Sequence, residues 1–166
     1  MRGRRYRVAV SFTLANAGGT ADLLSVAPAA NKPLALVWWQ IAQVGEVAEA
    51  QEEEIRIQVT RVPATVTAGS GGTAITAANI PPVLRSSAVA GFTARYNDTT
   101  PATSSGTIVV LDEVGWNERA TPLKISYDDE DCRPDAINGE SLVITTPTTV
   151  ADDAVVQITA EFEEVG

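Results

Sequence analysis

The sequence predicts an all-β domain, built as an antiparallel β-sandwich with a jelly-roll-like order of strands. Apolar and polar residues alternate in most of its periodic segments, which is the two-residue period of a strand. Gly, Pro and Asn-Asp turn signals separate these segments, and only one segment is rich in helix formers. About eight or nine short strands with almost no helix are typical of a sandwich or jelly roll. Residues 1–166 are therefore predicted to form one domain with a complete core and at most one short helix.

The first predicted strand covers residues 6–14 and overlaps a basic N-terminal arm, residues 1–7. The apolar side chains at even positions from Tyr6 to Leu14 share one face of this strand. The N-terminus imitates a secretion signal, because arginines precede an apolar segment and residues 15–17 resemble a cleavage site. A signal needs a continuous apolar helix, whereas larger apolar and smaller residues alternate in this segment. We therefore predict a strand here, and no window of the chain approaches the ~20 apolar residues of a membrane span.

A short second strand is predicted over residues 22–26, and a third strand, apolar on both faces, over residues 34–43. Strict alternation places Leu34, Leu36 and Trp38 on one side of the third strand and Val37, Trp39 and Ile41 on the other. A strand that is covered on both sides lies between two layers, or between one layer and another subunit.

The tryptophans are candidates for both the core and an interface, because Trp is enriched in each. Trp38 and Trp39 are consecutive, so their side chains point to opposite faces of the strand. We expect one of them in the core and the other in a second apolar layer, at an intersubunit contact. Trp116 is a candidate for the same contact. A sugar-binding platform is the alternative for the outward tryptophan.

The rest of the chain is predicted to be strands joined by turns, with one long loop. Helix formers over residues 46–54 predict a helical turn or two. Residues 63–89 form a long Gly/Ser/Thr/Pro-rich loop with a flexible tip at residues 69–72. Further strands are predicted over residues 55–61, 91–96, 107–111, 123–127, 141–145 and 156–163, the last with one buried and one acidic face.

The composition argues against an enzyme. The chain has no histidine, one cysteine (Cys132) and only two lysines, Lys32 and Lys124. Without histidine the commonest general base and metal ligand are missing, and one cysteine excludes zinc sites that need several thiolates. No spacing singles out a pair among the 21 acids. We therefore expect no catalytic residues, no cofactor and no metal ligands.

The charge distribution is uneven. The net charge is −9, which argues against broad nucleic-acid binding. Arg2, Arg4, Arg5 and Arg7 nevertheless crowd the N-terminal arm. Two interpretations remain open: the arm docks on an acidic surface, or it is a solvated end that protects an edge strand from aggregation.

An acidic run, residues 128–131 with Asp135 nearby, supplies the oxygen ligands that calcium prefers. It lacks the spacing of a known calcium loop, so a solvated acidic turn is the favoured interpretation. Residues 69–72 likewise lack the Gly-Lys-Ser/Thr of a phosphate-binding loop.

Several segments resemble a known class of proteins. They are Lys32-Pro33 before an apolar strand, an Ala/Gln/Glu-rich stretch at 45–54, Ile55-Arg56-Ile57, the Gly/Ser-rich insert, Ala90-Gly91-Phe92-Thr93, Asn97-Asp98-Thr99-Thr100 and Val114-Gly115-Trp116-Asn117. Together, over about residues 32–162, they resemble small virion proteins of tailed bacteriophages that decorate or cement the capsid. The resemblance implies a jelly-roll-like sandwich without catalysis, which oligomerises, often as a trimer, and clamps neighbouring major capsid subunits.

The expected function is therefore that of a structural virion protein on the capsid exterior, made in the host cytoplasm. Its expected partners are the major capsid protein and further copies of itself, without nucleic acid or membrane. The candidate interface residues are Arg2, Arg4, Arg5, Arg7, Trp38, Trp39 and Trp116. A carbohydrate- or receptor-binding module and a tail or neck component are the alternatives, since one fold serves many functions.

Overall fold

The computed structural model describes residues 3–16, 19–46, 53–85 and 88–165, and the regular structure of this part is almost entirely strand. The strands are β1 (Arg4–Leu14), β2 (Ala21–Pro28), β3 (Leu34–Glu46), β4 (Glu54–Val62), β5 (Val66–Thr67), β6 (Thr73–Ile75), β7 (Phe92–Asp98), β8 (Thr103–Ser104), β9 (Val109–Asn117), β10 (Leu123–Ser126), β11 (Asp135–Ala136), β12 (Ser141–Thr146) and β13 (Ala154–Glu164). Short 3-10 helices occur at Ala77–Asn79 and Glu130–Cys132. The predicted all-β class is confirmed. The predicted helical stretch lies mostly in residues 47–52, outside the described part.

Two sheets carry the fold. The first, sheet A, has the order β1-β13-β3-β10. The short strand β11 pairs with the first residues of β3, on the same edge of β3 as β10. The second, sheet B, has the order β6-β7-β2-β12-β4-β9. All the strand pairs are antiparallel, so the predicted antiparallel sandwich is also confirmed.

Eight of these strands pair in a nested order. In chain order they are β1, β2, β3, β4, β9, β10, β12 and β13, and they pair first with last (β1·β13), second with seventh (β2·β12), third with sixth (β3·β10) and fourth with fifth (β4·β9). A long antiparallel ribbon rolled into two layers produces this nesting, which is how a double-sheet jelly roll is built. We infer from this order that the sandwich is jelly-roll-like.

The core lies between the two sheets and follows the two-residue period of their strands. Tyr6, Trp39, Phe92 and Phe162 are its largest fully buried side chains. The Phe92 ring packs edge-on against Tyr6 at a centroid distance of 5.8 Å and lies 5.6 Å from Phe162. Each such aromatic side chain removes about 150–250 Å² from water, so this cluster is a main source of stability.

A β-bulge in β3 changes the predicted faces of that strand. In the pairing with β13, Glu161 lies opposite Trp38 and Phe162 opposite Leu36, so Val37 is the extra residue. The bulge moves the side chains from Trp38 to Gln43 to the other face, up to a second register shift at Val44. Leu34, Leu36, Trp39 and Ile41 are therefore all in the core, and the prediction that Leu34, Leu36 and Trp38 share a face is wrong.

The loop predicted at residues 63–89 contains regular structure. It includes β5, β6 and the 3-10 helix Ala77–Asn79, and its later part lies along the free edge of β1. There the N–H of Arg7 donates to the Pro81 carbonyl at 3.1 Å, and the N–H of Val83 donates to the Arg5 carbonyl at 2.8 Å. This segment covers an edge that would otherwise be free to pair with another chain.

The glycine-rich part of this loop, residues 69–72, packs against the end of β7 and is not a free tip. Ser70 and Thr100 exchange backbone hydrogen bonds of 2.9 and 3.0 Å, and the N–H of Gly72 donates to Asp98 at 3.1 Å. The neighbouring β5–β8 ribbon reaches sheet B through the N–H of Ala102, which donates to Asp22 at 2.7 Å.

This insertion packs against the β7 side of sheet B. The centre of the outer face of sheet B is covered, because Ser25, Thr60 and Val143 point away from the core, yet they are only 8%, 4% and 1% exposed. The outer face of sheet A is open along β1, where Arg7, Ala9, Ser11 and Thr13 are exposed.

Candidate functional site

The outer face of sheet A carries a network of ion pairs between its first and last strands. The antiparallel register places Arg5 beside Glu163 and Arg7 beside Glu161. Arg5 contacts Glu161 at 3.4 Å and Glu163 at 3.2 Å, and Arg7 contacts Glu161 at 2.9 Å. The two glutamates are only 4% and 6% exposed, because the arginine side chains cover them.

Arg133 completes the network from the segment after β10. Its guanidinium lies 2.9 Å from the Glu163 carboxylate, which also accepts the N–H of Gly3 at 2.9 Å. A buried carboxylate is tolerated only when its oxygens are paired, so these contacts are required for the face to stay folded as it is.

A groove of about 790 Å³ lies above this network. Its floor is formed by Gly3, Arg5 and Glu161. One side, the basic wall, consists of residues 82–85 with Arg4 at its foot, and the opposite side, the acidic wall, consists of Asp128, Glu130 and Arg133. The structure thus brings together the predicted basic arm and the predicted acidic turn, which are far apart in sequence.

Most charged side chains on the two walls form no close ion pair with the described residues. No ion pair joins Arg4, Arg85 or Asp128 to another residue of the described part, and Glu130 reaches Arg133 only at 3.9 Å with a side chain 74% exposed. Leu84, on the basic wall, is 81% exposed. The groove therefore offers a basic side, an acidic side and a protruding apolar side chain.

Trp38 lies on the same face, next to the ion-pair network. The Arg7 guanidinium is 5.1 Å and the Lys124 ammonium 4.7 Å from the centroid of its ring. Each contact has the geometry of a cation–π interaction, worth about 0.5–1 kcal/mol at an exposed site. The outward tryptophan is thus covered by two cations and does not lie in an apolar layer.

The other predicted interface residues have different positions. Arg4, Arg5 and Arg7 belong to β1 rather than to an arm that precedes it, and Arg2 lies outside the described residues. Trp39 and Trp116 are buried in the core cluster, so neither contributes side-chain area to an outer surface.

Sequence reasoning missed the partners of these arginines and the basic wall. Arg5 and Arg7 alternate on β1 as Glu161 and Glu163 do on β13, and this matched pattern was a readable signal for pairing of the first and last strands. The position of residues 82–85 had no such signal, because it depends on backbone hydrogen bonds to β1.

Exposed apolar side chains collect at one end of the sandwich. We call this the rim end; it is the end where β1, β3, β9 and β12 begin and β13 finishes. Among the described residues, nine large apolar side chains are exposed, and Val44 alone lies at the opposite end. The other eight form the apolar rim: Val83, Leu84, Val89, Ile108, Val109, Val110, Ile137 and Val165.

The acidic turn and Cys132 show no arrangement for metal binding. Within residues 3–16, 19–46, 53–85 and 88–165, no cluster of three or more Cys, Asp or Glu side chains is placed to hold a metal ion. Cys132 is exposed as a free thiol in the 3-10 helix of the acidic wall. The part of the chain that the structure describes also has no helix of the length and apolarity that crossing a membrane requires.

Comparison with known proteins adds little. No protein-family model matches the chain, and no curated protein matches it. Two solved structures align with 99% of the chain: that of the infectious bursal disease virus Gx strain, with 17% identity and a TM-score of 0.23, and that of the Gt strain, with 14% identity and a TM-score of 0.12. The chain spans 42% and 38% of the length of those two chains. Such low TM-scores carry no argument about fold or function.

Proposed function

We propose that this protein is a structural virion protein of a tailed bacteriophage, of the decoration or cement type, which binds the exterior of the capsid shell and stabilises it. The observation that carries the proposal is the apolar rim. Scattered exposed apolar residues are normal on a protein surface, but eight at one end of a complete sandwich mark an interaction surface.

The loops at the rim end are suited to this role because a rigid scaffold holds them. Ile108 immediately precedes β9, Ile137 follows β11, and Val165 follows β13 with its N–H donated to the Pro33 carbonyl at 2.9 Å. Binding residues are commonly presented in this way, on loops at one end of a sandwich. These side chains are already about half buried, so covering the rest of one contributes about 1 kcal/mol, and several of them together suffice for stable contact with a neighbour.

The assignment to a phage capsid is supported by the resemblance of the sequence to decoration and cement proteins. On this proposal the partner is the major capsid protein, and the mechanism is mass action. A protein that binds the assembled shell but not its dissociated subunits stabilises the shell by about 2.7 kcal/mol at a hundredfold excess over Kd. Repetition over many shell sites makes modest individual contacts effective. No catalytic step belongs to the proposal.

The test uses capsids of the phage that lack this protein, to which the purified chain is added. Binding is measured as bound copies per capsid after sedimentation. We expect Ile108→Asp and Ile137→Asp each to raise the apparent Kd at least tenfold, because each places a charge in a contact that excludes water. Val44→Asp is the matched control, since Val44 is equally exposed at the opposite end, and it should bind like the unmodified protein.

Two results would contradict the proposal. One is no binding to capsids by the unmodified protein. The other is equal binding by all three variants. Density at a single vertex or along the tail, rather than over the whole shell, would instead assign the protein to the neck or tail.

A further inference from the structure

We infer that the outer face of sheet A is a docking surface for a second copy of this chain, related to the first by a two-fold axis parallel to the strands. This inference goes beyond the proposed function and does not require a capsid. A two-fold interface must be self-complementary, because the same patch is presented by both copies.

The groove has the self-complementary charge that such an axis requires. Rotation about an axis parallel to β1 and β13, in the plane of contact, exchanges the two edges of the sheet. The basic wall of each copy, with Arg4 and Arg85, then lies on the acidic wall of the other, with Asp128 and Glu130. Complementary charges of this kind fix the orientation of an interface.

These charges are free to make the contact. Arg4, Arg85 and Asp128 have no ion pair within the described part of the chain, and Glu130 is 74% exposed. The groove floor is different, because Glu161 and Glu163 are already paired with Arg5, Arg7 and Arg133. The floor therefore adds no unpaired charge to the interface, and burying it needs no new partners.

The face also has the size that the contact needs. Along β1 and β13, away from the groove, most outward positions are small or polar, among them Ala9, Ser11, Thr13 and Gln157. The Trp38 ring with Arg7 and Lys124 is the bulkiest feature beside them. At about 3.3 Å per residue and about 4.8 Å per strand, the face measures about 36 by 19 Å, or roughly 700 Å². Specific interfaces bury about 800 Å² per partner, so this face with its walls is of the required size.

The charge pattern also selects the second copy over other occupants. The groove lining contains Arg4, Arg5, Arg85 and Arg133 against Asp128, Glu130 and Glu161, so it is close to neutral overall. A polyanion would be repelled by the acidic wall, and a polycation would be repelled by the basic wall. A partner that carries both signs in the reverse order satisfies both walls, and a copy of the same face does so by symmetry.

The test is charge complementation between two variants, followed by sedimentation equilibrium. The basic-wall variant is Arg4→Glu with Arg85→Glu, and the acidic-wall variant is Asp128→Arg with Glu130→Arg. Each alone should dimerise at least tenfold more weakly than the unmodified chain, because like charges face each other. A 1:1 mixture should regain dimers that contain one copy of each, which a contact within one chain cannot produce.

Arg56→Glu with Arg119→Glu is the matched control, because it makes the same change of charge away from sheet A and should leave dimerisation unchanged. A monomer at about 100 μM, or a trimer as the sequence resemblance implies, would overturn the inference for the unmodified chain. A mixture that stays as monomeric as its components would overturn it as well. The capsid binding of Ile108→Asp and Ile137→Asp tests the proposed function separately.

Discussion

At the scale of single residues, the most unusual electrostatic feature is the carboxyl pair of Asp22 and Asp98, which face each other across β2 and β7. Both are almost fully buried. Asp98 is paired with Arg95 at 2.8 Å, whereas Asp22 accepts the N–H of Ala102 at 2.7 Å and forms no ion pair with the described residues. Burial, reinforced by the charge of Asp98, raises the pKa of Asp22 from its ordinary value of 3.8 to about 6.

This raised pKa makes the stability depend on pH with a definite sign. Between about pH 4 and 6 the folded state holds a proton on Asp22 that the unfolded state has released, so the contribution of Asp22 to stability falls as the pH rises. Above pH 6 the folded protein carries a buried charge. We predict that Asp22→Asn stabilises the protein by about 2 kcal/mol more at pH 7.5 than at pH 4.5. Urea unfolding at both pH values measures this difference.

The amide introduced by Asp22→Asn keeps an oxygen that accepts the N–H of Ala102, so the native contact is retained. Asp129→Asn is the control, because Asp129 is exposed and its change should have the same small effect at both pH values. A stabilisation by Asp22→Asn that is equal at pH 4.5 and 7.5 would contradict this account of the buried charge.

At the scale of elements, the fit of the insertion against β7 depends on glycine. A Cβ atom on Gly72 would overlap the carbonyl oxygens of Tyr96 and Asn97, which are backbone atoms and cannot rotate away. We predict that Gly72→Ala lowers the free energy of unfolding by about 1–3 kcal/mol, as overpacking commonly does. Thermal unfolding measures the change.

Gly45→Ala is the matched control for this substitution, because its Cβ would meet only Val155 side-chain atoms at 3.5 Å or more, an ordinary contact. It should be neutral or slightly stabilising. Equal melting temperatures for the two variants would show that the insertion moves freely against β7.

Most long strands could be predicted because their two-residue pattern is local. Residues 6–14 and 156–163 were placed in strands that the structure gives as β1 and β13. The bulge at Val37 had no local signal, since it appears only in the pairing with β13, and it reversed the face of Trp38. The two-residue strands β5, β8 and β11 were also missed, because such short pairings depend on contacts distant in sequence.

The candidate site was predictable only in its parts. The run of arginines and the acidic run were both visible in the sequence, but their meeting across one groove depends on β1 and β10 lying at opposite edges of sheet A. Strand order within a sheet is set by the whole topology and not by any single segment. The sequence therefore supplied the charged groups, while the fold decided which of them face each other.

At the scale of the whole molecule, the two ends of the sandwich differ in chemistry. Both ends carry acidic side chains, since the run 128–131 lies at the rim end, but only the rim end carries the apolar rim. The opposite end, which we call the acidic end, has Glu53, Glu54, Asp152 and Asp153 close to where β4 begins and β12 ends, and Val44 is its one exposed large apolar side chain among the described residues. An end with charges and little exposed apolar area is suited to face water. If the protein binds a shell through its rim, we expect the acidic end to point outward.

Cysteine labelling tests this orientation in the bound state. In a Cys132→Ser background, Thr107→Cys places a thiol at the rim end and Thr121→Cys places one at the opposite end; both positions are exposed. We predict that capsid binding slows maleimide labelling at position 107 at least fivefold, because the shell excludes reagent and water from a contact of this size. Labelling at position 121 should be as fast in the bound protein as in the unbound protein. The reverse pattern would mean that the acidic end grips the shell, and the apolar rim would then require another partner.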